Sequence, residues 1–399
     1  MTKTLLSVVT GNAPHTRGAL VDHVLNASPG AVVLSVSLHG EGDGYPVVQR
    51  FLSNTDPRLS VAVDQGATGA PAVIVRQDLL AVARTSRRPH VVLALTDELD
   101  TLPFLTELWR ETPGNGALSR HYVAGPLLAG IEPAVFLADL GCVHTAVRKW
   151  SGWDRCAPMT RAEAAARQVE TADALVLTDP AGRHATLTSG VATLVRHLNQ
   201  AAACLVLSGG PGPEREPGEG LPSALFRPAH HTGRDGWRAR LDPVGVPHTA
   251  PGAGAGVDSV LWRTRRPVHP GRLADALSVV MLGVVRGHGH LWLSNRPDSV
   301  VTWRSAGAHL ELREAGPWLE DGAGSAWEAV SAQRRTLASW YWDDYYGERR
   351  NEITLTGVDL DPRRIREAFH ETLLTDDELS RGREHWGPAD DPFFSNEPR

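Results

Sequence analysis

"LLSVVTGNAPHTRGALVDHVL", residues 5–25, reads as a strand, a short loop and a helix. A strand that runs into a glycine loop at the mouth of a helix is where nucleotide phosphates commonly sit, because free N–H groups and the helix dipole face an anion there. Outward from this stretch the alternation continues. Apolar runs at 31–38, 59–63, 90–96, 133–140, 173–178 and 203–208 have the unbroken hydrophobicity of strands buried on both faces of a parallel sheet. Between them, 17–26, 74–85, 99–111, 161–171 and 186–198 carry helical patterns, and Thr160 stands at capping-box distance from Glu163. This order predicts an open α/β domain over 1–208, with its ligand site at the strand C-termini.

Residues 209–256 are rich in Gly and Pro and read as a linker. A second module follows over 257–380. It holds a strand at 259–264, a helix opened by Pro270, three short strands joined by "NRPD" and "AGAH" turns, a strand in "RRNEITLTGVDL" and a helix in "DPRRIREAFHETLLT". That mixture predicts a small α+β domain. The tail, 381–399, reads as irregular.

Composition narrows the function classes. A formal net charge of −6 over 399 residues argues against general DNA or RNA binding. No apolar run reaches the roughly 18 residues needed to span a bilayer, and the N-terminus lacks a signal-peptide pattern, so a cytoplasmic protein is expected. Three scattered cysteines, Cys142, Cys156 and Cys204, fit neither a disulfide framework nor a Cys-only zinc site. Only two lysines occur, Lys3 and Lys149; the other cations are arginines.

A phosphate loop of the G-x-x-x-x-G-K-[ST] kind turns backbone N–H groups inward, sends a lysine to the β/γ-phosphates and a hydroxyl to Mg²⁺. Laid from Gly11, Thr16 stands at the second glycine, Arg17 at the lysine and Gly18 at the hydroxyl, and Pro14 removes one donor. A guanidinium fork is not a compact ammonium. The stretch therefore reads as a plain strand–helix turn or as a degenerate cradle with residual attraction for anions. His288 and His290 lie i, i+2 and share one face of a strand, and His230 adjoins His231; each pair reads as half of a metal site or as hydrogen-bonded histidines. "WYWDDYYGERRNE", 340–352, has the composition of a binding hot spot, with Trp340, Trp342, Tyr345, Tyr346, Arg349 and Arg350 as contact candidates. The competing reading caps the small domain's core with the aromatics and pairs Asp343 and Asp344 with Arg349 and Arg350. Neither a G-x-S-x-G elbow nor an H-E-x-x-H motif is present.

Several segments carry a resemblance. "RRPVHPGRLADAL" (265–277), "GVVRGHGHLWLSNRPD" (283–298), "WDDYYGERRNEITLTGVDLD" (342–361) and "LLTDDEL" (373–379) resemble, in order, the CobW C-terminal domain, and the first half resembles the GTPase domain that precedes it in that family. The resemblance implies a P-loop-NTPase-like, mostly parallel sheet followed by the α+β domain, GTP and Mg²⁺ as cofactors, and a role in metal homeostasis, often that of a GTP-dependent zinc metallochaperone. It places degenerate nucleotide-binding positions at Gly11, Thr16, Arg17, Gly18, Thr178 and Asp179, the last two in the guanine-motif segment Thr178-Asp179-Pro180-Ala181. It also sets the three cysteines of the family's metal motif on Ala70, Ala72 and Val73, so no zinc is expected there, while Val75, Arg76, Asp78 and Leu79 fit. The eroded motifs, "LVLTDP" (175–180) and Asp391-Pro392-Phe393 resemble the branch that recruits a ribosome hibernation factor. That branch implies a pseudo-GTPase with weak or no turnover that brings the factor to the small ribosomal subunit under zinc limitation.

Overall fold

The computed structural model describes residues 3–40, 44–53, 66–85, 89–111, 117–151, 156–179, 185–208, 221–226, 233–246, 249, 254–320, 324–386 and 391–394. The chain divides into two compact units, Met1–Leu241 and Asp242–Arg399. The boundary lies inside the stretch read as a linker.

In the first unit, an eight-stranded sheet has the order β10-β9-β6-β1-β5-β2-β3-β4. Its strands are β1 (Thr4–Gly11), β2 (Val32–His39), β3 (Val47–Ser53), β4 (Ala67–Thr68), β5 (His90–Leu95), β6 (Tyr122–Ile131), β9 (Ala174–Asp179) and β10 (Ala203–Ser208). A separate hairpin pairs β7 (Thr145–Trp150) with β8 (Cys156–Thr160). The pairings β2–β3 and β3–β4 are antiparallel and the others parallel. The helices are α1 (Pro14–Ala27), α2 (Pro71–Thr85), α3 (Thr101–Leu108), α4 (Pro133–Leu140), α5 (Arg161–Thr171), α6 (Ala185–Leu198) and α7 (Arg234–Leu241). Val9, Val92, Leu128 and Val176 from the central strands pack with Leu20 and Val24 of α1. The capping prediction is borne out in part: Thr160 Oγ1 accepts from Glu163 N at 3.0 Å, while the Glu163 carboxylate turns to Arg167 at 2.6 Å.

Two expectations are corrected. Residues 133–140, read as a strand, form α4, with Pro133 in the first turn where its missing N–H is harmless. The strand is instead β6, whose Gly125, Pro126 and Gly130 mask its β character. Part of the supposed linker is helix α7. Its Trp237 is buried edge-on against Trp109 at 6.0 Å, and Arg240 bonds Thr171 O at 2.8 Å. The run 59–63 lies outside the described residues.

The second unit is a five-stranded antiparallel sheet of order β11-β15-β12-β13-β14, comprising β11 (Val257–Thr264), β12 (Val284–Leu291), β13 (Ser299–Ala306), β14 (His309–Pro317) and β15 (Asn351–Val358). Helices α8 (Pro270–Val280) and α11 (Pro362–Glu371) meet the apolar face, where Trp262 stacks on Phe369 at 4.3 Å. A Cβ at Gly289 would come within 2.0 Å of Glu352 O, so only glycine lets β12 approach β15 there. Three short helices complete the unit: α9 (Ser325–Ala329), α10 (Ala332–Trp340) and α12 (Asp376–Ser380). Glu348, fully buried, receives both Nε and Nη2 of Arg334 at 2.9 Å and the Leu319 N–H at 2.7 Å. The tail is partly docked. Asp391 pairs with Arg296 at 3.1 Å and accepts from the Phe393 and Phe394 N–H groups, and Phe394 enters the core.

Two stability predictions follow from buried charge. Arg334→Met leaves the Glu348 carboxylate uncompensated and is expected to destabilise the second unit by about 3–5 kcal/mol in urea denaturation. His90 is buried between Ser7 Oγ (2.8 Å) and Ser28 Oγ (3.0 Å), and burial lowers its pKa from 6.5 to about 4. The unfolded chain takes up this proton near pH 6.5 and the folded chain only near 4, so stability is full above 6.5 and declines as pH falls towards 4. Chemical denaturation across that window is expected to show a shallower pH slope for His90→Gln than for the native chain.

Candidate functional site

The C-terminal end of β1 decides what the nucleotide face can hold. Helix α1 begins at Pro14, so only Asn12 and Ala13 separate it from the strand. Arg17 N already donates to Ala13 O at 3.0 Å. Thr16, Arg17 and Gly18 thus belong to the first turns of the helix instead of a bowed loop. Thr16 is 1% exposed. A Cβ at Gly130 would lie 2.9 Å from its Cγ2, so the glycine of β6 makes room for it. Asn12 binds the next turn in both directions: its Nδ2 donates to Glu132 O at 3.1 Å and its Oδ1 accepts from Glu132 N at 3.0 Å. His15 Nε2 lies 2.7 Å from Glu132 Oε2. The Asn12 side chain and the His15 imidazole are therefore engaged by the β6–α4 turn.

Beside this turn lies a cleft of about 50 Å³, room for about four ordered waters. Thr10, Asn12, Thr96, Asp97, Asp100, Asp139, Lys149 and Arg167 contribute to its walls. Lys149 is carried in by β7, and its Nζ donates to the Asp97 carbonyl. Burial lowers its pKa, against the opposing pull of Asp97, Asp100, Glu98 and Asp139. The adjacent Trp150 fixes the strand. Its N–H donates to Glu98 O at 2.8 Å and its carbonyl accepts from Asp100 N at 2.9 Å. Arg167 Nη1 holds the Asp100 carboxylate at 2.8 Å, and Arg161 approaches Asp139 at 3.7 Å. Burial raises the Asp139 pKa, and Arg161 partly offsets the rise. Cations and carboxylates in the cleft face one another. Lys149 was not among the predicted site residues, although its rarity was a signal.

The other predicted positions are dispersed. Thr178 is buried near the end of β9; the Asp179 side chain and residues 180–181 lie outside the description. At the metal-motif positions, Ala72 is fully buried and no side chain of Ala70, Ala72 or Val73 has a donor atom for a metal. The residues that do fit have structural work: Val75 and Leu79 lie in the core, Arg76 Nε donates to Leu108 O at 2.8 Å and caps α3, and Asp78 pairs with Arg50 at 2.8 Å. His288 and His290 share a face of β12. His290 is 2% exposed, 3.7 Å from Glu352, and its pKa is lowered by burial and then by Arg350, Arg334 and Arg263. Among the described residues no three His, Cys, Asp or Glu side chains gather as a metal site. His230 and His231 are outside them.

The aromatic stretch splits in two. Trp340 and Tyr345 are 77% and 70% exposed. Trp342 packs near Trp327 at 6.1 Å and Tyr346 edge-on against Trp292 at 5.5 Å. Arg349 and Arg350 are corrected from contact candidates to buried structural cations. Arg349 binds Glu320 at 2.8 Å and Asp298 at 3.4 Å, and Arg350 binds Glu352 at 2.9 Å. Their partners are these acids and not Asp343 or Asp344.

Residues 257–373 match the family described as the Cobalamin synthesis protein cobW C-terminal domain. The chain is 30% identical over 369 residues to Zinc chaperone Rv0106 of Mycobacterium tuberculosis, covering 87% of this chain and 86% of that protein. It is 27% identical over 208 residues to Zinc-regulated GTPase metalloprotein activator 1 of Dictyostelium discoideum, covering 51% of this chain and 42% of the other. Among solved structures it is similar to the Zn(II)-bound YjiA GTPase of E. coli, at 13% identity and a TM-score of 0.37 over 94% of this chain and 100% of that one.

Removing the Asn12 amide strands the Glu132 N–H, while the Glu132 carbonyl keeps the bond from Phe136 N at 2.9 Å. Asn12→Ala is expected to destabilise the first unit by about 1–3 kcal/mol, read from the urea midpoint at unchanged slope.

Proposed function

This chain belongs to the CobW family, and from that premise we propose that it serves zinc homeostasis through a protein partner, without a GTP cycle of its own. The zinc context is supported by relatives whose names refer to zinc, one of them aligned over 86% of its length. The rest is carried by one observation: the β1–α1 connection is two residues long and its amide is held by Glu132.

A nucleoside triphosphate with Mg²⁺ needs inward N–H groups, an ammonium and a hydroxyl at one place. Here Pro14 has no N–H, Thr16 is buried, Gly18 offers no hydroxyl, and Arg17 is a planar fork. The second lysine of the chain, Lys149, faces carboxylates. These residues do not fit the group, and no step is assigned to it.

Two finer readings remain distinct. A GTP-dependent zinc metallochaperone is favoured by the relative named a zinc chaperone, at 30% identity. Recruitment of a hibernation factor to the small ribosomal subunit is favoured by the closed turn and by Ala70, Ala72 and Val73, because an adaptor needs neither triphosphate nor metal ligand. The exposed Trp340 and Tyr345 give such an adaptor a contact surface.

Calorimetric titration with GTP and Mg²⁺ is expected to give no heat, and thermal melts no shift. A ligand present at 1,000 times its Kd would stabilise the fold by about 4.1 kcal/mol, which a melt resolves readily. Micromolar binding with turnover that is lost on altering Arg17 contradicts the proposal and supports the metallochaperone. Ribosome pelleting from zinc-starved cells tests the adaptor: co-sedimentation that depends on the hibernation factor is expected, and absence from ribosomes with and without it rejects that partner.

A further inference from the structure

The chain's own tail is seated as a ligand on the turn between β12 and β13. One carboxylate does two jobs there. Asp391 Oδ1 accepts from the Phe393 and Phe394 N–H groups at 3.0 and 3.1 Å, which curls the segment into a turn. Its Oδ2 faces away from the segment and accepts from Asn295 Nδ2 at 2.7 Å and Arg296 Nε at 3.2 Å. Phe394 is buried in the apolar core of the second unit, and Phe393 packs against that core. The Arg296 guanidinium lies over the Phe394 ring, 4.2 Å from its centre.

The sheet positions the cation as well as the tail does. Glu314 of β14 pairs with Arg296 Nη1, and Ser299 Oγ in turn donates to Glu314 at 3.1 Å. The tail does not use everything this turn offers. Asn295 Oδ1 is buried and has no hydrogen-bond partner among the described residues. A buried acceptor left unmet is costly, so an occupant that brings a donor to Asn295 would satisfy what the tail leaves open.

We propose that Asn295 and Arg296, with the part of the core that receives Phe394, form a socket for a short segment in which aromatic side chains stand two and three residues after an aspartate, and that Asp391–Phe394 occupies it as a strap that a partner protein bearing such a segment displaces. The chemistry of the occupant is read from the one already seated. A carboxylate meets the amide and the guanidinium, and a ring meets the face of the cation and the core. A tethered segment competes at an effective concentration of about a millimolar, so the strap masks the socket until a better-matched or abundant segment arrives. This inference goes beyond the zinc and nucleotide readings, and neither GTP binding nor its absence bears on it.

The test is fluorescence anisotropy with the labelled peptide ADDPFFSN, residues 389–396, and the full chain carrying Asp391→Ala/Phe394→Ser, which frees the socket of its own strap. This released chain is expected to bind the peptide about ten-fold or more tightly than the native chain, whose socket is taken. Asp391→Asn in the peptide keeps an oxygen for the Phe393 and Phe394 N–H groups but loses the charge. It is expected to weaken binding about ten-fold or more, as is Arg296→Gln in the released chain. Loss of Phe394 from the core is expected to lower the melting midpoint of the released chain, and added peptide to raise it again. Equal binding to native and released chains, indifference to Asp391→Asn or Arg296→Gln, or a midpoint that the peptide leaves unmoved overturns the proposal. So does sedimentation in which the native chain dimerises and the released chain does not, since the tail then serves a second copy.

Discussion

The pair of hydrogen bonds between the Asn12 amide and the Glu132 backbone governs the nucleotide face. It ties the exit of β1 to the exit of β6, the neighbouring parallel strand. With Pro14 fixing the start of α1, it leaves no slack for a backbone loop to curve round a phosphate. A cradle needs several N–H groups aimed at one point. This turn has one residue without an N–H, Pro14, and another, Asn12, whose backbone N–H donates to Gly130 O at 3.2 Å. The cleft beside it is small, and its charges face one another: Arg167 pairs with Asp100, Arg161 approaches Asp139, and Lys149 lies within the field of Asp97 and Asp100.

The same division by role runs through the motifs. Arg76 caps α3, Asp78 pairs with Arg50 under β3, and Val75 and Leu79 fill the core. Ala70, Ala72 and Val73 have no donor atom for a metal, and Gly18 has no hydroxyl. The second unit is held by buried ion pairs that carry their own hydrogen bonds, such as Arg334 with Glu348, where loss of either partner is more costly than the pair is stabilising. On the proposed reading the protein offers surface to its partner, and Trp340 and Tyr345 are exposed aromatics of the second unit.

Much of this architecture was legible in the residues. Continuous apolar runs marked β1, β2, β5 and β9, because strands covered on both faces exclude polar side chains, and also the edge strand β10, where Val206 is exposed. Thr160 announced the start of α5, and the short-strand pattern of 288–315 announced β12 to β14. Residues 133–140 were misread because a short apolar run has no period of its own, and Pro133 at its head was the signal that favours helix. Strand β6 was hidden by its glycines and proline; Gly130 makes room for Thr16, and Gly125 for Ser7 and Leu5. The candidate site was less legible. Gly11 and Arg17 could be placed by spacing, but the Asn12–Glu132 contact and the approach of Lys149 to Asp97 join residues far apart in sequence. Likewise Arg349 looks like a surface cation until the fold brings Asp298 and Glu320 to it.

The account stands or falls on whether the stretch from Gly11 to Gly18 is closed to a triphosphate. Hydrogen–deuterium exchange of that peptide, with and without saturating GTP and Mg²⁺, reads this directly. The predicted result is an identical exchange rate in both conditions. Strong nucleotide-dependent protection of residues 11–18 would mean that the Asn12–Glu132 bonds open to form a working cradle, and would contradict the account.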